Sequence, residues 1–126
     1  MTDTLHIVLD DTAMVAAGRG SILASRLIHR AHAEPGRYLY APACALVQAD
    51  RARPGTAEHI AALPGITILE LDLPAALAVA RDETWAAAHT RYSAEPTADR
   101  PEGGVIATAS PDSWKGQPVR ILDIAP

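Results

Sequence analysis

At 126 residues, 48% of them hydrophobic, the chain has the length and apolar fraction of one globular domain with a real core. A net charge of −4 excludes bulk attraction for nucleic acid, so any such contact needs a local basic patch. A single cysteine, Cys44, excludes an internal disulfide, and no apolar run approaches the roughly 18 residues of a membrane span. The expectation is one soluble domain, 1–126, in the cytoplasm, with an aliphatic core because Phe is absent.

In chain order, Leu5 to Leu9 is short, apolar and rich in strand formers, and predicts a first strand. It runs into Asp10, Asp11 and Thr12, then into a short helix to Ala17 that Gly18 and Gly20 break. Ser21 is placed to cap a second helix to about Ala33, with Leu23, Leu27 and Ala31 on one face and Ile28 beside them. Arg37 to Tyr40 predicts a short strand, and Pro42 opens a helix to about Arg51. Thr56 to Leu63 is a further helix, and Ile66 to Leu71 a strand. Pro74 lies in the first turn of a helix to about Arg81, and another covers Trp85 to about Ala94. After a polar loop from Glu95 to Gly104 come a strand at Val105 to Ala107, a turn at Ser110 to Gly116, and a last strand at Val119 to Ile124.

Strands alternating with helices predict a three-layer α/β/α domain with a mainly parallel central sheet. The near-continuous apolar runs Ile7 to Leu9, Ile66 to Leu71 and Val105 to Ala107 predict three central, buried strands. Acids or hydroxyls follow several strands: Asp10 and Asp11, then Asp72, then Thr108 and Ser110. The carboxyl edge of an open α/β sheet is where ligands bind. The same residues also suit helix capping, and for Asp10 to Thr12 alone the two readings weigh equally.

The segments VLDDTAMVA, YAPACALVQAD, WAAAHTRYSA and VIATASPDSW, which span nearly the whole chain, resemble a PIN domain. The resemblance implies a PIN-like parallel sheet flanked by helices. It also implies a metal-dependent endoribonuclease, a hydrolase of the kind found as the toxin of bacterial toxin–antitoxin pairs. Such a protein gathers carboxylates at the carboxyl edge of the sheet around Mg²⁺ or Mn²⁺. A hard dication prefers oxygen ligands, and once bound it activates water and stabilises charge on the attacked phosphate. RNA and an antitoxin protein are the implied partners, a homodimer is compatible with it, and no membrane is involved.

Carried over residue by residue, Asp10 takes the first acid's place and Thr12 the small hydroxyl residue after it. The second acid's place holds Gln48, with Asp50 two residues on. The third holds Thr84, with Asp82 and Glu83 just upstream. Thr108 matches the family's Thr, while the fourth acid's place holds Ser110, with Asp112 two residues on. The expected catalytic group is therefore Asp10, Thr12 and Thr108. The expected metal ligands are Asp10 and the nearby acids Asp50, Asp82 and Asp112. Three neutral replacements weaken the hold on a dication, so a non-catalytic module that binds nucleic acid or protein stands beside the nuclease. Phosphoacceptor receiver domains offer a rival set in Asp10, Asp11, Asp72, Thr108 and Lys115. Lys115, however, precedes the last predicted strand instead of ending it. The histidines lack zinc spacing, Cys44 reads as a small packed hydrophobe, and Trp85 and Trp114 read as packing residues at helix and turn edges.

Overall fold

A computed structural model describes residues 4–82 and 84–126; Glu83, one of the acids near the third motif position, lies outside them. Five strands, β1 (Leu5–Leu9), β2 (Arg37–Pro42), β3 (Ile66–Leu69), β4 (Val105–Thr108) and β5 (Ile121–Asp123), form one sheet in the order β3-β2-β1-β4-β5. Every pairing is parallel. Among the described residues, six helices cover it: α1 (Asp11–Gly18), α2 (Ile22–Ala33), α3 (Ala43–Ala52), α4 (Thr56–Ala62), α5 (Leu73–Val79) and α6 (Trp85–Ala94). The three-layer α/β/α architecture is the one expected from the alternation of elements.

The alternating side chains of β1 divide the core. Ile7 and Leu9 face α1 to α4, where Met14, Ala17, Ala24, Ala45, Ala49 and Ile60 are all buried. Val8 faces the other way, with Ile106, Ala94 and Trp114. Burial of each large aliphatic side chain contributes about 1.5–3 kcal/mol. The many alanines on the helix faces let the helices approach the sheet closely. The polar loop after α6 closes on the sheet through two glycines. A Cβ at Gly103 (φ +71°) would lie 2.4 Å from the Ala94 carbonyl oxygen, and one at Gly104 would lie 3.2 Å from Val8 Cγ2. At Gly103 a side chain does not fit without moving backbone, and at Gly104 the contact is tight.

Two expectations need correction. β3 is an edge strand, not a central one, and it ends at Leu69. Its place among the central strands is taken by β2, whose Leu39 and Ala41 are buried. A four-residue apolar run has the same composition whether one or two strands flank it, and only the exposed Thr67 marks the edge. In α2, the buried stripe is Ala24, Leu27, Ile28 and Ala31, a 3.6-residue period begun one residue later than read, while Leu23 in the first turn is 42% exposed. Ser21 is the cap, accepting from the Ala24 amide. Among the described residues, no helix is long and apolar enough to cross a membrane.

Candidate functional site

The chain builds the sheet outward from β1 in one direction through β2 and β3, then crosses back to lay β4 and β5 on the other side. The reversal leaves a crevice between the carboxyl ends of β1 and β4, the usual ligand position in such sheets. Asp10 stands at one lip and Thr108 at the other.

Asp10 is the N-cap of α1 and is 2% exposed. Its Oδ1 accepts from the Ala13 amide at 2.8 Å and from the Thr12 hydroxyl at 2.7 Å. Its Oδ2 accepts from the indole Nε1–H of Trp114 at 2.9 Å. Three donors thus satisfy a buried carboxylate without a cation. The hydroxyl protons can be assigned by counting. Thr12 has one proton and gives it to Asp10, so at the 3.1 Å contact between the threonines Thr108 must be the donor. Thr12 Oγ1 also accepts from the Ala109 amide, and Thr108 Oγ1 accepts from the Ser110 amide, both at 3.0 Å. The result is a one-way chain from Thr108 through Thr12 to Asp10, which binds the end of β4 to the start of α1.

Trp114 ends a 3₁₀ turn, Pro111–Trp114, between β4 and β5 and is 5% exposed. The turn is held by a 2.8 Å bond between Ser110 Oγ and Ser113 Oγ. Beyond it, Gln117 donates to the Ser113 carbonyl and accepts from Arg91 on α6.

Around Asp10 opens a cleft of about 890 Å³. The start of α1 and the 3₁₀ turn form its floor, α3 one wall, and the start of α6 with Leu71 the other. Gln48 and Thr84, read as the second and third motif positions, both line this cleft with Asp10. The acids near them do not. Asp50 turns its carboxylate to the Gly55 and Ala57 amides, bracing the start of α4; two residues along a helix swing a side chain through roughly 200°. Asp82 pairs with Arg91. Asp112 is exposed and, like Ser110, stands outside the cleft lining, where Ser113 takes the place instead. Of the four acids expected to join Asp10, Asp50, Asp82 and Asp112 do not line the cleft, and Glu83 lies outside the described residues. Among the described residues, no three His, Cys, Asp or Glu side chains are grouped to hold a metal ion.

Among the described residues, the one acid that shares the cleft with Asp10 is its neighbour Asp11. Burial, then the adjacent Asp10 charge, push the Asp11 carboxyl above its ordinary range, against the pull of the helix-start amides. Among the described residues, Arg51 is the only cationic side chain in the lining. Cys44 also lines the cleft, but burial pushes its thiol up and away from a reactive thiolate. The upper walls are apolar and open to solvent, with Trp85 67%, Val47 55% and Leu71 38% exposed. Leu73 and Leu77 on α5 are also exposed.

The receiver-like set does not assemble. Asp72 caps α5 and lines a separate pocket, and the exposed Lys115 lies outside the cleft. No protein-family model matches the chain, and no curated protein matches it.

Proposed function

We propose that this is a non-catalytic binding module with a PIN-like fold, and that its ligand, a segment of another protein, enters the cleft at the carboxyl edge of the sheet. The observation that carries this reading is the state of Asp10. Both of its oxygens are already bonded to donors of its own chain. The positions that would supply further carboxylates hold Gln48 and Thr84. The residues present do not fit a Mg²⁺ or Mn²⁺ centre built on several acids. Among the described residues, two carboxylates against one guanidinium give the cleft no net attraction for a phosphate backbone. Exposed Trp85, Val47 and Leu71 give it an apolar rim suited to side chains of a protein.

Selection from a displayed peptide library tests the reading, with binding of the selected peptides measured against Trp85→Ala and Val47→Asp. Loss of binding in both variants supports it; unchanged affinity in both refutes this location.

A second reading, a divalent-metal ribonuclease with cytoplasmic RNA as substrate and an antitoxin as partner, is favoured by one observation: Asp11 lies beside Asp10 in the same cleft. RNA cleavage in Mn²⁺ by the wild type and by Asp11→Asn separates the two. Background cleavage by both supports the binding module. Cleavage by the wild type that disappears in Asp11→Asn supports the nuclease.

A further inference from the structure

We propose that the Trp114 indole N–H stands in for a cation at Asp10, closing the carboxyl-edge site to Mg²⁺ and Mn²⁺ in the folded protein. The proposal rests on the non-catalytic reading and supplies its structural cause.

The distances make the substitution direct. An indole nitrogen 2.9 Å from Oδ2 places its hydrogen about 1.9–2.0 Å from that oxygen, nearly the 2.0–2.1 Å of a Mg²⁺–oxygen bond. The hydrogen carries positive partial charge, so it meets the same electrostatic need and repels a dication brought to the same oxygen. The ring behind it is not a movable cover. Trp114 is buried against Val8, Ile106 and Ala94, and its turn is tied to α6 through Gln117 and Arg91. The other oxygen, Oδ1, already serves the Ala13 amide and the Thr12 hydroxyl. A carboxylate has about four lone-pair sites, and three are filled from within.

Trp114→Phe keeps an aromatic, though smaller, side chain and removes the donor. The expected results are no Mn²⁺ binding by the wild type in calorimetry, and a melting temperature that Mn²⁺ does not move. Trp114→Phe should melt lower and should be raised by Mn²⁺. Its Mn²⁺ affinity should exceed that of the wild type by roughly tenfold or more, the equivalent of one hydrogen bond to a charged group. Adding Asp11→Asn should remove that gain. Should Trp114→Phe fail to fold, the wild type alone decides. The Trp114 indole N–H signal in proton–nitrogen NMR should stay sharp in Mn²⁺, because a paramagnetic ion at Asp10 would broaden it first.

Selective broadening of that signal, or Mn²⁺ binding by the wild type, overturns the proposal. If the wild type then also cleaves RNA, the non-catalytic reading falls with it; if it does not, that reading survives. A folded Trp114→Phe that gains no Mn²⁺ affinity overturns the proposal alone.

Discussion

Asp10 and Asp72 begin as the same local structure. Each follows a parallel strand, each is an N-cap with extended backbone (φ −83°, ψ 177° and φ −76°, ψ −179°), and each accepts from the amide three residues on. Asp72 adds to its cap only a charge that reaches His89 and opposes the effect of burial on that ring. It follows edge strand β3, is exposed, and has Ala75 as its hydrogen-bond donor at 3.0 Å. Asp10 follows the central strand, is buried, and collects two further donors, one from Thr12 and one from a residue 104 positions away. An acid after a strand is therefore not by itself a site. Its place in the sheet decides whether the cap becomes the centre of a network.

The sharpest way to break this comparison is to make the same conservative change at both positions. Asn caps helices about as well as Asp, so a pure cap should tolerate it. Asp10→Asn should cost about 2–4 kcal/mol, because one amide oxygen replaces two carboxylate oxygens and the new NH₂ must face a donor already present. Chemical denaturation monitored by circular dichroism measures it. A cost under about 0.5 kcal/mol would reduce Asp10 to a cap like Asp72.

Thr12→Val tests the next link at nearly constant shape. It leaves the Ala109 amide without its acceptor and the Thr108 hydroxyl without its outlet. The expected cost is about 1–3 kcal/mol, the usual penalty for an unsatisfied buried polar group. At Asp72, removal of the cap by Asp72→Ala should cost about 1 kcal/mol, and Asp72→Asn should be nearly silent. A large loss in Asp72→Asn would mean that the Asp72 charge beside His89 matters more than the cap.

The same contrast explains how far the chain could be understood unfolded. Periodicity and caps are local, so the α/β alternation, the Ser21 cap and the full extent of α6 were legible. Sheet position is not local, and short apolar β3 carries little to distinguish edge from centre. The site divides the same way. Asp10 and Thr108 could be placed at one edge of the sheet from strand ends, whereas Thr12, Gln48 and Thr84 stood out only through the PIN resemblance; the cleft holds Thr12, Gln48 and Thr84 beside Asp10. The Trp114–Asp10 bond left no trace in sequence, since Trp114 reads there as an ordinary packing residue. Asp50 has a local partner instead: its carboxylate accepts from the Gly55 and Ala57 amides at the turn before α4, where Gly55 has φ +92°. Buried His89 also eluded sequence reading. Its Nδ1 accepts from the Cys44 amide at 3.2 Å, tying α6 to α3.

Asp11 supplies the subtlest contrast, because it sits beside Asp10 and lacks its neighbour's network. Its carboxyl is held above the ordinary range by burial and by Asp10. The folded protein therefore binds this proton more tightly than the unfolded chain does. Stability linked to the protonated acid is fully present below the unfolded Asp value and is lost as pH rises through the raised folded value. At neutral pH the ionised Asp11 is a standing penalty, and Asp11→Asn removes it. The variant should melt above the wild type at pH 7, and the gap should close as pH falls below the ordinary Asp range, where both side chains are neutral. His89 complicates the raw curves. Burial lowers its pKa, so acid destabilises the fold as pH falls from the ordinary His range through the depressed folded value. That loss is common to both proteins, so the quantity to follow is the difference in melting temperature at each pH. A difference that stays constant from pH 7 down to pH 3 would show that Asp11→Asn acts through packing or the start of α1, and not through charge beside Asp10.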